Sequence, residues 1–451
     1  MDFKPKHITA EVPVIGFTGA LGSGCTFLAE GLSKHHNYRY YSLSDPIHRL
    51  AQQGSLGESV ATLQDIGNAL RRLHGQDVLV AHALKTADGE WPQGSADKPS
   101  GIVLDGIRNT GEVAAIRQWP NFCLVSVHSE QEVRKVRLLS HGRLVSQDDF
   151  YRADRRDADE KYVHGQQVKR CNDLADIIIR NDKPIPEHMS DERRQYIYDK
   201  LYNKYITLIE EFARGGPVIE HRPSLDEALM TAAYCISRLS SCLKRKVGAV
   251  VAREDNGEIL SVGYNEVPEG TLSCLADTDL GWCARDIAME AFGGKLKFCP
   301  TCGKKVEIAA KCAQCGTELR QYVRRCPHCN EDPDLVYVCP ECKTSVFDEY
   351  LLGRTPMAGR LLDVCRAVHA EEAALISLGR VVGSGTRDAV LYTTTFPCAL
   401  CAKRIAATGI RKVVYAEPYP MPEALEVLRH TKVEVRQFEG VKSAAYFRLY
   451  R

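Results

Sequence analysis

The sequence predicts an α/β protein: a P-loop parallel-sheet domain followed by a second α/β domain that carries a cysteine-rich insertion. Three observations lead there. Short apolar segments alternate with helix-like stretches through residues 1–182, the pattern of a doubly wound parallel sheet. A glycine-rich turn follows the first of these segments directly. Eight cysteines stand as four C-x-x-C pairs within an otherwise ordinary strand and helix pattern.

Strands are expected at Val12 to Phe17, Gly101 to Asp105, Asn121 to Val127 and Ala175 to Ile179, with a helix opening at Thr26. Pro184 and Pro186 then break the chain, so residues 183–222 read as a linker. Its helical segment, Asp191 to Arg214, carries an apolar stripe of Tyr198, Leu201, Tyr205, Leu208, Ile209 and Phe212, suited to packing against a domain. The second domain, residues 223–451, reads as helix (Leu225 to Leu239), strand (Val247 to Ala252), strand (Ile259 to Tyr264), helix (His369 to Leu378) and strand (Ala389 to Thr394). Helix (Cys398 to Thr408), strand (Lys412 to Ala416), helix (Pro422 to His430) and strand (Val433 to Phe438) complete it. The insertion occupies residues 296–345.

A chain of 451 residues is too long for one ordinary core, and 44% hydrophobic with 26% charged residues is a soluble, globular composition. A formal net charge of +1 gives no bulk reason for binding a polyanion. Apolar runs such as Ala249 to Ala252 are far too short to span a bilayer, and Met1 to Glu11 has no apolar leader core. A cytoplasmic protein with no membrane partner is expected. Ten of the 18 cysteines fall in C-x-x-C pairs, which favours metal binding over a disulfide scaffold.

The chemistry sits in His369-Ala370-Glu371 and Pro397-Cys398-Ala399-Leu400-Cys401. Cys398 and Cys401, three residues apart at a helix start, put both sulfurs on one face. Pro397 suits a helix entry, and a helix N-terminus favours thiolates. His369, Cys398 and Cys401 are the three protein ligands expected of a catalytic zinc, which leaves the fourth position open. Glu371 lies two residues beyond His369, within reach of a water there, and is the candidate proton shuttle. Either motif alone is weak, since a histidine-alanine-glutamate triplet is common and a lone P-C-x-x-C can be a zinc knuckle. Together they match the H-x-E…P-C-x-x-C signature of zinc deaminases.

Residues around these motifs resemble the deoxycytidylate deaminase family. Ser241-Cys242-Leu243-Lys244-Arg245-Lys246-Val247-Gly248-Ala249-Val250-Val251 is similar to its first strand, and Ser261-Val262-Gly263-Tyr264-Asn265 to its second. The resemblance implies a three-layer α/β/α cytidine-deaminase-like fold, deoxycytidine nucleotides as substrates, and Asn265 hydrogen-bonded to the sugar. Cys274 and Cys283 resemble cysteines that precede the histidine motif in the family, either as a further metal site or as buried thiols.

The first domain resembles deoxynucleoside monophosphate kinases in Val14 to Thr26 and in Val103-Leu104-Asp105-Gly106-Ile107-Arg108-Asn109, with the arginine-rich stretch Arg152 to Arg170 where such kinases carry a lid. Gly19, Gly22, Ser23, Gly24 and Thr26 are the candidate phosphate-binding residues. Cys25 stands where the motif wants lysine, so nucleotide binding without phosphoryl transfer is expected; the alternative is a degenerate domain kept for oligomer contacts. A kinase-like domain fused to a deoxycytidylate deaminase is similar to the bacterial anti-phage deaminases. That resemblance implies destruction of the dCTP and dCMP pool during infection, and an enzyme held off by an inhibitory RNA or a regulatory nucleotide.

Cys299/Cys302, Cys312/Cys315, Cys326/Cys329 and Cys339/Cys342 form four knuckles at nearly even intervals, the signal for a double zinc ribbon holding two structural zinc ions beside the catalytic one. Sequential pairing, first knuckle with second and third with fourth, is the expectation, with interleaved pairing as the alternative. The metal must supply much of this segment's folding energy. Lys304, Lys305, Lys311, Arg320, Arg324 and Arg325 leave nucleic-acid contact open beside structure, assembly or sensing. A homo-oligomer is expected from the family. Three functional readings follow: a deaminase of free deoxycytidine nucleotides, whether for pool depletion or dUMP supply, a polynucleotide deaminase, and a non-catalytic sensor. An aromatic content of 8% disfavours the second, and the intact motifs disfavour the third.

Overall fold

In the computed structural model the chain splits into two compact units, Met1–Glu227 with Phe438–Arg451, and Ala228–Gln437. The residues described are all except 1–5, 10, 93–97, 120, 141, 143, 145, 159, 161–162, 183–189, 215–221, 277–308, 313–314, 320–327, 330–334, 339–364, 381–385, 387, 419–421, 444 and 446–451.

Unit 1 begins with β1 (Val14–Thr18), α1 (Cys25–His36), β2 (Tyr38–Ser42), α2 (Asp45–Gln53), α3 (Val60–His74) and α4 (Val78–Glu90). It continues through β3 (Gly101–Asp105), α5 (Thr110–Ile116), β4 (Phe122–His128), α6 (Gln131–Ser140), α7 (Gln147–Ala158), α8 (Val168–Leu174) and β5 (Ile177–Arg180). Strands β5, β4, β1, β3 and β2 lie side by side, all parallel. Every residue of β1, β3 and β4 is buried, as both faces of a doubly wound sheet require. The expected parallel sheet is present. β2, Tyr-Arg-Tyr-Tyr-Ser, carries no apolar run because it is an edge strand with a half-exposed face, so its pattern does not announce it.

The boundaries at 182 and 222 differ from the structure. Helix α9 (Asp191–Arg214) is part of unit 1: Tyr205, Leu208 and Ile209 of the expected stripe, with Ile206 and Ala213, share one core cluster with Ile15, Phe17 and Val125. The C-terminal segment also returns to unit 1. After helix α10 (Leu225–Ser237) the chain builds unit 2 and comes back as β14 (Gly440–Val441), antiparallel to β5. Glu227 accepts from Val441 N at 2.8 Å, Lys442 N donates to Asp176 O at 2.8 Å, and Val441 and Ala445 complete the core. An exposed sheet edge and an exposed apolar face are both removed this way.

Unit 2 contains β6 (Gly248–Arg253), β7 (Ile259–Tyr264), β8 (Ala309–Cys312), β9 (Glu318–Leu319) and β10 (Leu335–Val338). It ends with α11 (Ala370–Arg380), β11 (Ala389–Thr395), α12 (Ala399–Thr408), β12 (Lys412–Glu417), α13 (Pro422–His430) and β13 (Glu434–Gln437). Its sheet runs β13-β12-β11-β6-β7, parallel from β13 to β11 and antiparallel from β11 to β7. Ala249, Val251, Leu391 and Val413 face Ala370, Ala374, Ile405 and Leu428 in one core, while alternate residues Val250, Ala252, Val390 and Val414 are buried on the other face. Helix α10 lies against β6 there: a Cβ on Gly248 would collide with the Ala233 carbonyl, so only glycine fits. The insertion contributes a small antiparallel sheet, β10-β8-β9. Among the described residues, no helix is long and apolar enough to cross a membrane.

Removing residues 438–451 takes Phe438 and Val441, both fully buried, out of unit 1. At about 1.5–3 kcal/mol per large apolar side chain, this should cost roughly 3–6 kcal/mol. Amide exchange should accelerate in Ile177–Arg180 and leave Ala389–Thr395 unchanged. Unchanged protection of β5 would show that β14 contributes nothing to the sheet.

Candidate functional site

His369 and Glu371 are placed by the start of α11. Gly263 of β7 lets that helix approach closely, since a Cβ there would strike the Ala370 carbonyl and the Ala374 backbone. Just before the helix, Val368 N donates to Glu266 O at 2.9 Å, which ties the entry to the end of β7. Glu266 accepts from the Ser241 hydroxyl at 2.5 Å and from Val267 N and Ser241 N, each at 2.8 Å, and against the opposing effect of burial these bonds, the hydroxyl's foremost, hold its carboxyl below the usual range. On the other side, β11 delivers Phe396-Pro397-Cys398. Phe396 N donates to Glu417 O at 2.9 Å, and its ring meets Tyr415 edge-on at 4.9 Å. Cys398 is the N-cap of α12, its Sγ accepting from Cys401 N at 3.5 Å.

These two helix starts converge. His369 Nδ1 lies 3.3 Å from Cys398 Sγ and 3.4 Å from Cys401 Sγ, and Glu371 Oε2 is 3.7 Å from Cys401 Sγ. The three donor atoms fall within 4.8 Å of one another. One imidazole and two sulfurs at a helix N-terminus suit zinc, and three protein donors leave a fourth position for water. The electrostatics agree. Hydrogen bonding from Cys401 and His369 pulls the Cys398 thiol down, while the same bond to Cys398 pushes that of Cys401 up, so one of the two sulfurs carries the negative charge that suits a cation. Hydrogen bonding to Cys398 raises His369. Glu371 is only 4% exposed, and burial pushes its carboxyl up to about 7, the range useful for passing a proton at neutral pH.

With this geometry in place, the comparisons are specific. A family model described as the cytidine and deoxycytidylate deaminase zinc-binding region matches residues 223–417. The deoxycytidylate deaminase of Enterobacteria phage T2 is 30% identical over 210 residues, 46% of this chain and 88% of its own length. The chain belongs to the cytidine and deoxycytidylate deaminase family. The deoxycytidylate deaminase of Schizosaccharomyces pombe is 24% identical over 429 residues, 95% of this chain and 98% of its own. The solved dCMP deaminase of cyanophage S-TIM5, in complex with dCMP and dUMP, is 21% identical, covers 49% of this chain and all of that one, and superposes with a TM-score of 0.26.

Other expected residues of this deaminase are placed differently. The Asn265 side chain bonds the backbone, accepting from Val247 N at 2.7 Å and donating to Arg245 O at 2.9 Å. It clamps the loop before β6. Cys274 lines a small cavity with Cys242 and Cys365; Cys283 lies outside the described residues. In the insertion Cys312, Cys315 and Cys329 can hold a metal together, and Cys312 Sγ lies 3.7 Å from Cys329 Sγ. Cys329 of the third knuckle thus lies beside Cys312 and Cys315 of the second, a contact that the sequential pairing does not anticipate. β8 ends at Cys312 and pairs antiparallel with β10, Leu335 opposite Cys312. Cys299, Cys302, Cys326, Cys339 and Cys342 lie outside the described residues, as do Lys304, Lys305, Arg320, Arg324 and Arg325.

In unit 1, Gly19 to Gly24 link β1 to α1, which opens with Cys25 and Thr26; Gly22 has φ 80° and Gly24 φ 98°, conformations that favour glycine. Thr26 Oγ1 donates to Asp105 Oδ2 at 2.7 Å. The Ser23 side chain is 3.4 Å from Cys25 Sγ, and burial pushes that thiol up to about 12, so Cys25 is neutral and supplies none of a lysine's charge.

Gly263, Glu266 and Phe396 are positioning residues that motif reading alone passes over. Gly263 lies inside a stretch already recognisable as a strand, but the helix that requires a glycine there is more than a hundred residues away.

Cys315→Ser and Cys329→Ser should each remove the same zinc, so the double variant should contain no less metal than either single one when measured by plasma mass spectrometry. Additive loss would restore sequential pairing.

Proposed function

We propose that this chain is a zinc-dependent hydrolase of free deoxycytidine nucleotides, converting dCMP, or dCTP, to the deoxyuridine nucleotide and ammonia. The observation that carries the reading is the buried Glu371 carboxylate set against the His369, Cys398 and Cys401 donors. Zinc held by those three residues would supply a Lewis acid that lowers the pKa of a water to roughly 7. Glu371, tuned by burial, takes the proton from the attacking water and passes it to ring N3. It then assists departure of the amine, so C4 gains oxygen as its bond to nitrogen breaks. Burial of the site keeps bulk water from competing for those protons.

The relatives named deoxycytidylate deaminase support dCMP as substrate, and the Schizosaccharomyces pombe protein matches nearly the whole of this chain. That full-length match favours a supply of dUMP, because the N-terminal unit is then not peculiar to a defence enzyme. Pool depletion against phage is the second reading. It rests on the glycine loop and the cysteine-rich insertion, and it requires dCTP to be a good substrate.

Zinc-loaded protein incubated separately with dCMP, dCTP, CTP and single-stranded DNA should form uracil product from the free deoxynucleotides alone. Preference for dCMP supports supply, and preference for dCTP supports depletion. Product from DNA only would sink the nucleotide reading. Glu371→Gln should keep its zinc and lose at least about a hundredfold in kcat, the usual worth of acid–base catalysis. Turnover that survives the substitution would exclude Glu371 as the shuttle.

A further inference from the structure

Residues 240–247, the loop between α10 and β6, supply no donor to the metal site, yet they are bonded to both of its halves. The first half is reached through the end of β7. Glu266 holds the Ser241 amide and hydroxyl with its carboxylate, and its carbonyl accepts from Val368 N, the residue before His369. Asn265 grips the same loop: its carbonyl accepts from Ser240 Oγ at 2.6 Å, and its side chain holds residues 245 and 247. The second half is reached through Glu417, the last residue of β12. Its Oε2 accepts from Arg245 Nη2, and its Oε1 accepts from the Tyr234 hydroxyl of α10 at 3.2 Å. Its carbonyl accepts from Phe396 N, two residues before Cys398. Glu417 stands opposite Thr395 in the parallel pairing, so the cluster lies at the edge of the sheet from which β11 delivers Cys398. The backbone register of β11 with β12 already runs from Val390 to Thr395 without help from this carboxylate. A partly buried ion pair also adds little stability. What two donors from separate segments give one carboxylate is a fixed position.

We propose, building on the deaminase reading, that Glu417 and Arg245 are positioning residues for the reaction. Their pair ties the loop at residues 240–247 to the end of β12, and the loop then braces the start of α11 against the turn that opens α12. The brace sets the spacing of His369 and Glu371 from Cys398 and Cys401. Without the charge at position 417, Arg245 and Tyr234 lose the group that orients them. The last residue of β12 then loosens, and the Phe396 amide bonded to it shifts together with the cysteine turn. Misplacing reacting groups by about 1 Å costs on the order of a hundredfold in rate, so a brace slackened at one end should cost part of that.

Two readouts test it on the full chain: the visible absorption of the Co2+-loaded protein, which reports donor geometry without turnover, and dCMP kinetics of the zinc-loaded protein. Glu417→Gln and Arg245→Gln should each keep the metal content of the unaltered chain, and the difference spectrum against that chain should show shifted thiolate-to-Co2+ bands. Each should lower kcat about tenfold and leave KM nearly unchanged. The double variant should be no slower than either single one, since the pair is broken only once. Glu254→Gln is the control. It breaks the pair that Lys412 makes at the opposite end of β12, and it should change neither spectrum nor rate. Thermal unfolding checks that the variants fold, and Tyr234→Phe, which removes the other donor to Glu417, should shift the same bands if the charge variants do not fold. Unchanged spectra in folded variants, a rise in KM alone, additive losses in the double variant, or an equal effect of Glu254→Gln overturns the brace. A rise in KM alone would instead put Arg245 on the substrate. If the unaltered chain deaminates nothing, the deaminase reading fails, and the spectra still decide the brace.

Discussion

A carboxylate, an imidazole and two thiols brought together in the interior set the main constraint on unit 2. Burial alone would drive Glu371 towards its neutral form, and the two cysteines contend for one proton. Groups of this kind are tolerated inside a protein when a cation and hydrogen bonds compensate them. The surrounding elements hold them in place without help from the surface. Gly263 lets α11 sit tightly on β7, the Glu266–Val368 bridge fixes the residue before His369, and the Phe396–Glu417 backbone bond fixes the residues before Cys398. Donors supported in this way need little reorganisation when a metal or a transition state arrives.

Unit 1 answers to a different constraint, that of holding a glycine loop open. Three ion pairs are drawn into its interior: Arg71 with Glu112, Arg108 with Asp157, and Arg134 with Asp154. Buried pairs of this type contribute less to stability than their number suggests, because desolvation offsets most of the attraction. What they do here is fix geometry. Arg134 and Arg137 reach the loop carbonyls, and Asp157 holds the Leu21 amide, so the loop keeps its shape by side chains drawn from α6 and α7.

Much of this was legible in advance, for reasons that differ by element. The buried strands of both sheets read as apolar runs because both their faces are covered; the edge strand Ile259–Tyr264 and the helix Pro422–His430 also coincide with the expected segments. The edge strand β2 and the two-residue β14 were not legible, since neither buries enough apolar surface to impose a period. The helix Asp191–Arg214 showed its stripe but not its partner: an amphipathic face states that something covers it and nothing about what.

The sequence by itself determined the chemistry of the metal site. Ligand types and their i, i+3 spacing are local properties of a helix start, and they survive whatever the rest of the chain does. Tertiary structure alone decided which distant groups meet. It brought Cys329 to Cys312, turned the Asn265 amide onto the backbone of residues 245 and 247, and returned the C-terminal segment to the first sheet. Such contacts join residues far apart in the chain, and their free energy depends on the packing of everything between them, which no local pattern encodes.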